Sequence, residues 1–193
     1  MTAKSTAKPT VKPHVFGYGS LVNLTTHSLG EPRTGTLHGW RRGWYDTAAR
    51  PLAFLTAVRD DSSSIEGIIA HVPGGDWQAL DAREAGYDRV AQTGICVRVG
   101  PLELAVYAIP PRARIETAPR RPILLSYLDV VVQGYLHQFG PEGVARFFAT
   151  TDGWDAPVLD DHSAPRYPRH RRLSSRETAL VDDHLAALGA TRV

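Results

Sequence analysis

The chain has 193 residues, enough for one domain with a hydrophobic core of its own. Twenty-two Lys and Arg against 20 Asp and Glu leave a formal charge of +2, so no strong field points to nucleic acid or to a membrane surface. A lone cysteine, Cys96, rules out an intrachain disulfide, and no apolar run is long enough for a bilayer span or a secretory leader.

Residues 1–13 carry almost no large apolar side chain and read as a flexible tail. Residues 14–19 form a first strand. Residues 36–45 form a second, with Gly39 and Gly43 as bulges or bends. Residues 53–59 and 65–72 flank the polar cluster Asp60-Asp61-Ser62-Ser63-Ser64 and read as a hairpin. A short helix is predicted over 77–85, with Asp76 as N-cap and Gly86 as C′ glycine. Residues 94–99 and 102–109 form a second hairpin around Gly100-Pro101, with Cys96 a small core residue. Helical spacing then puts Leu124, Leu128, Val131 and Tyr135 on one face, and residues 141–149 form a second helical piece. Trp154 follows a turn and packs what comes after it onto the domain. The last helix starts with Ser174 and Glu177 in capping-box register and stops at Gly189. Strands first and helices later imply an α+β fold, and bent, glycine-marked strands suit a small closed or strongly curled mixed β-barrel flanked by helices. The expected division is a tail over 1–13, a domain over 14–149 and a mainly helical C-terminal extension over 150–193.

Residues 14–21, His-Val-Phe-Gly-Tyr-Gly-Ser-Leu, carry the most information. A strand running into Gly17-Tyr18-Gly19-Ser20-Leu21 can aim successive N–H groups into one concavity, which suits a carboxylate or a developing oxyanion. The third glycine of a dinucleotide fingerprint is missing, no Gly-Lys-Ser/Thr follows, and Ser20 is not in a Gly-x-Ser-x-Gly elbow. A tight turn needed only for packing is the other reading.

On the predicted helix Trp77, Leu80 and Glu84 fall at i, i+3 and i+7, so Glu84 shares the face that the apolar pair must bury. A carboxylate against an apolar wall has its pKa raised and becomes a useful proton carrier. Alternatively Glu84 reaches solvent or pairs with Arg83 or Arg89.

Together these segments resemble the gamma-glutamylcyclotransferase-like family. The octet is similar to its Tyr-Gly-Ser-Leu signature, nearer to the glutathione-directed ChaC-type branch and the AIG2-like members. Leu80-Asp81-Ala82-Arg83-Glu84-Ala85-Gly86-Tyr87 resembles the segment with the family's catalytic glutamate. Leu104-Ala105-Val106-Tyr107 is similar to a pocket strand. Tyr127, followed seven residues later by Gly134, resembles a substrate-binding tyrosine, though Pro122-Ile123-Leu124-Leu125-Ser126 replaces the usual Pro-Ser lead-in. The resemblance covers roughly residues 14–140. It implies a cytoplasmic enzyme without a cofactor or metal that releases 5-oxoproline from a γ-glutamyl peptide or amine. Glu84 would be the general acid and base, with Tyr18, Gly19, Ser20, Leu21, Tyr107 and Tyr127 binding substrate. Glutathione, γ-glutamyl amino acids and γ-glutamyl amines share the recognised half. A non-catalytic small-molecule binder and a γ-glutamyl amide hydrolase are the rival readings, and oligomeric state stays open. The basic segment Arg166-Tyr167-Pro168-Arg169-His170-Arg171-Arg172 is too small a footprint for nucleic acid and reads as a solvated strap.

Overall fold

Val15 and Phe16 are both fully buried, which puts the first strand in the interior of a sheet and not on its edge. The computed structural model describes residues 12–92 and 103–193. Strand β1 (Pro13–Gly17) lies between β3 (Arg50–His71), antiparallel to it, and β5 (Glu103–Ala108), parallel to it. β2 (Gly30–Thr47) pairs with β3, β4 (Asp88–Gln92) with β5, and the two-residue β6 (Arg114–Ile115) with β2. The order is therefore β4-β5-β1-β3-β2-β6, a mixed sheet curled into a half-barrel and flanked by three helices.

The long β2–β3 ribbon bends where its register slips. Trp40 pairs with Arg59 but His38 with Ser64, so residues 60–63 loop out opposite Gly39, which sits at φ +78°. The Asp60 carboxylate holds the excursion by accepting from the Ser62 N–H at 3.0 Å and the Ser62 and Ser63 hydroxyls at 2.6 and 2.5 Å. Residues 53–72 are thus not a hairpin. The polar cluster has the local chemistry of a turn, but the backbone on both sides of it pairs with the same partner, and β3 continues through a bulge. Gly43 sits in unbroken register opposite Thr56 and marks no bend of its own.

β5, which covers the second arm of the other predicted hairpin, pairs antiparallel with Asp88–Gln92. The predicted arm at 94–99, Cys96 and Gly100-Pro101 lie outside the described residues, as does the tail except its end. Pro13 already belongs to β1, and its carbonyl accepts from Val72 N–H at 2.9 Å.

Helix α1 (Trp77–Arg83) is capped by Asp76, whose carboxylate accepts from Ala79 N–H at 3.2 Å. It ends earlier than predicted, with Glu84 as C-cap, so Gly86 at φ +99° stands one place beyond C′. After the short β7 (Ile123–Leu124), α2 (Leu125–Ala149) runs through both predicted helical pieces and bends at Gly140, just before Pro141. Leu128, Val131 and Tyr135 are buried as their spacing predicts, but residues 128–135 are buried all round and not on one face, and Leu124 falls in β7 and not in the helix. Gly134 lets α2 press on the segment after β1, because a Cβ there would stand 2.5 Å from Asn23 N. Asn23 seals the contact by donating to Val130 O at 3.1 Å and Gln133 Oε1 at 2.9 Å.

Beyond α2, β8 (Thr151–Asp152) adds to β2 and β9 (Val158–Leu159) to β7. Trp154 packs on Trp44 and Phe148 and donates to Phe148 O at 3.1 Å. α3 (Ser175–Ala187) carries the capping box, Ser174 Oγ accepting from Glu177 N–H and the Glu177 carboxylate from Ser174 N–H. It rests on α2 through Val181, Leu185 and a His184–Phe148 stack. Among the described residues no helix is long and apolar enough to cross a membrane.

Candidate active site

β1 delivers the chain into a short 3-10 turn over Ser20–Val22. Its first internal bond runs from Val22 N–H to Gly19 O at 2.9 Å, so the N–H groups of Ser20 and Leu21 precede any donor the turn itself uses. Neither Gly17 nor Gly19 has a positive φ; both are needed for close approach. A Cβ on Gly17 would meet Leu21 Cβ at 2.5 Å, and one on Gly19 would meet the Tyr127 hydroxyl at 2.7 Å. The same hydroxyl lies beside the Ser20 N–H. Burial holds the Tyr127 hydroxyl well above the usual tyrosine range.

Glu84 ends α1 with its carboxyl turned toward this turn. Its side chain is 19% exposed, and its neighbour Arg83 is 9% exposed. Burial pushes the Glu84 pKa upward, against the opposing pull of Arg83 and then Arg169. Arg83 donates from Nε to Glu84 Oε1 at 3.0 Å, from Nη1 to Thr26 O at 2.8 Å and from Nη2 to Ser20 Oγ at 3.2 Å. One guanidinium therefore clamps the end of α1 to the segment after β1 and sets the distance between Glu84 and Ser20. The i, i+3, i+7 spacing foresaw the burial of Glu84; of the two arginines considered as partners, Arg83 takes the role. Arg89 pairs with Asp81 instead, at 3.3 Å.

All seven residues singled out in the sequence line one small cavity of about 30 Å³: Tyr18, Gly19, Ser20, Leu21, Glu84, Tyr107 and Tyr127. Their roles differ. Tyr18 spends its hydroxyl on Tyr107 O at 2.6 Å and braces β1 against β5. Tyr107 donates to the Asp81 carboxylate, so its hydroxyl ties α1 to β5 while its ring faces the cavity. Burial raises the pKa of both phenols, and Asp81 raises that of Tyr107 further. Tyr87, which sequence reasoning used only as part of a pattern, completes the wall and donates to Leu55 O at 2.8 Å.

This space opens into a cleft of about 580 Å³ that shares Ser20, Glu84, Tyr87 and Tyr127 with it. That volume is within the range of small-molecule sites, about 300–1,000 Å³. The far wall is the strap read as solvated: Arg166, Tyr167, Pro168 and Arg169 line the cleft, with Arg50 from β3. Asp161 anchors the strap at one end, accepting from Ser126 N–H and Arg166 N–H at 2.8 Å each and from Ser126 Oγ at 2.6 Å. Burial raises its pKa, but these bonds outweigh it and leave the net shift downward. At the other end Arg171 donates to Thr25 Oγ1 at 2.9 Å. Tyr167 packs edge-on against Tyr127, ring centroids 5.0 Å apart. The run of arginines with one tyrosine was the available signal, but nothing local says which surface it crosses.

Residues 14–119, from β1 past β6, match the family described as ChaC-like protein. The chain belongs to that family. The match includes the turn after β1, Glu84 and Tyr107; Tyr127 and the strap come from beyond it. The fold is shared with a gamma-glutamyl cyclotransferase at 11% identity and a TM-score of 0.57, over 89% of this chain and 99% of the other. It is shared equally with the uncharacterized protein loc79017 from Homo sapiens, at 12% identity, TM-score 0.58 and coverage of 89% and 98%. YkqA from Bacillus subtilis is similar at 14% identity and TM-score 0.57, over 74% of this chain and 56% of its own. None of the curated proteins matches the chain in sequence.

Proposed function

We propose that this ChaC-like protein is a γ-glutamyl cyclotransferase. The observation that carries the reading is the largely buried Glu84 carboxyl in one small cavity with the Ser20–Leu21 backbone and Tyr127. A γ-glutamyl compound holds its own nucleophile. Its α-nitrogen, once deprotonated, attacks the γ-carbonyl carbon and closes a five-membered ring; the C–N bond to the leaving amine then breaks. Four demands follow: a proton leaves the α-ammonium, the carbonyl oxygen gathers negative charge, the leaving nitrogen takes up a proton, and the ring nitrogen sheds a second proton, which ends on the released amine as its ammonium form. Glu84, with its pKa raised, accepts the first proton and returns it at the third step, so it ends as it began. Ser20 and Leu21 N–H groups and the Tyr127 hydroxyl are the donors for the developing oxyanion. The carboxyl-to-turn distance is held by Arg83. Proximity favours this route over water attack, since a well-held internal nucleophile has an effective molarity of about 10⁵ M or more.

The test is a panel of γ-glutamyl compounds incubated in ¹⁸O-labelled water with products read by mass. Unlabelled 5-oxoproline is the expected product, and an N-acetylated substrate, whose nitrogen lone pair is tied up in the amide, should be inert. Labelled glutamate or turnover of the acetylated compound would make the protein a hydrolase. Binding of the panel without any product would make it a sensor.

A further inference from the structure

The cleft is larger than the small cavity beneath it, and its outer wall is basic. Arg50, Arg166 and Arg169 line it. Among the described residues none of these three guanidinium groups has a carboxylate within ion-pair distance, whereas Arg83, Arg89, Arg112 and Arg120 all do. Among the described residues the single acidic side chain on the lining is Glu84, already paired with Arg83 and needed for proton transfer. The strap that brings Arg166 and Arg169 is built in place. It is tied to the first turn of α2 by Asp161, to Tyr127 by Tyr167 and to the segment after β1 by Arg171. Its arginines therefore stand at a set distance from the reacting end and not on a free arm.

We infer that the strap is the specificity element of the site, and that Arg166 and Arg169, with Arg50, bind a carboxylate on the leaving amine. The inference rests on the cyclotransferase reading for what lies in the inner cavity. Its physical basis is that planar guanidinium forks match a carboxylate in two-point geometry, and that a half-enclosed cleft screens such pairs less than open surface does. A γ-glutamyl compound whose leaving amine is neutral or cationic leaves those guanidinium groups without a counter-charge and is disfavoured.

γ-Glutamylglycine and γ-glutamylglycinamide differ only in that carboxylate. The wild-type protein should favour the acid in kcat/KM by about tenfold or more, as expected of one charge-assisted hydrogen-bonded contact. The preference should shrink with added salt. In the Arg166→Gln/Arg169→Gln double variant the ratio should fall toward one, while Arg169→Lys, which keeps the charge and loses the planar fork, should retain only part of it. Calorimetry with Glu84→Gln protein, in which neither compound is consumed, gives the same comparison without turnover. Equal Kd values for the two compounds, or a kcat/KM ratio untouched by the double variant, would overturn the strap assignment. If neither compound yields 5-oxoproline but the acid still binds more tightly in a strap-dependent way, the cyclotransferase reading fails and the anion site stands.

Discussion

Arg83→Met is the sharpest perturbation of the site that leaves Glu84 in place. The substitution keeps the length and apolar stem of the side chain and removes the guanidinium, which bonds Glu84 Oε1, Thr26 O, Ser20 Oγ and Thr26 Oγ1 at 2.8–3.2 Å. Each hydrogen bond to a charged group contributes about 1.5–3 kcal/mol, and breaking one side of a buried pair costs about 3–5 kcal/mol. The contributions overlap, and the 19% exposure of Glu84 lets water replace part of what is lost. A net destabilisation of about 2–4 kcal/mol results, which for a domain of this size lowers Tm by roughly 5–15 °C. Activity reads the second consequence. With Arg83 gone the largest opposing influence on Glu84 disappears, only the weaker pull of Arg169 still opposes burial, and its pKa rises further. Because the carboxylate form accepts the α-ammonium proton, the acidic limb of kcat/KM should move to higher pH. Differential scanning calorimetry and a pH–rate profile on the same preparation check both. A Tm within about 1–2 °C of wild type, or an acidic limb that stays or moves downward, would refute the clamp.

Glu84→Gln should fold and bind substrate but lose about 10²–10⁴-fold in kcat, measured as 5-oxoproline release. Its stability carries a pH signature: the folded protein holds the Glu84 proton above its ordinary pKa of 4.5. Wild-type stability from this group is therefore present at low pH and falls as pH rises from about 4 upward. The stability of Glu84→Gln relative to wild type should increase through that window and then level off in denaturant titrations; a difference of the opposite slope would contradict a raised pKa. Tyr127→Phe removes the hydroxyl next to Gly19 and Ser20 and should lower kcat/KM with little change in Tm. Tyr107→Phe acts through its bond to Asp81 on α1, so circular dichroism melts should register it along with activity. Gly134→Ala would place a Cβ 2.5 Å from Asn23 N and force α2 off the segment after β1. About 1–3 kcal/mol of stability should be lost in urea unfolding, with activity falling as Tyr127 moves away from Ser20.

What could be read from the sequence is what depends on residues a few positions apart. The Asp76 cap, the Ser174–Glu177 capping box and the shared face of Leu80 and Glu84 are all set by contacts within about two helical turns. Residues 17–21 carried their glycine requirement openly, although the reason was the approach of Leu21 and of the Tyr127 hydroxyl, not a left-handed backbone. Tertiary structure decided the rest. Asp60 and its serines make the same local hydrogen bonds in a turn or in a bulge, and only the continuous pairing of β3 with β2 selects the bulge. The strap became a wall of the cleft through Asp161 bonded to Ser126, 35 residues away, and Arg171 bonded to Thr25, 146 residues away. Such contacts join side chains that are strangers in sequence, and their partners are named only when the sheet has curled and α2 has packed on the turn after β1.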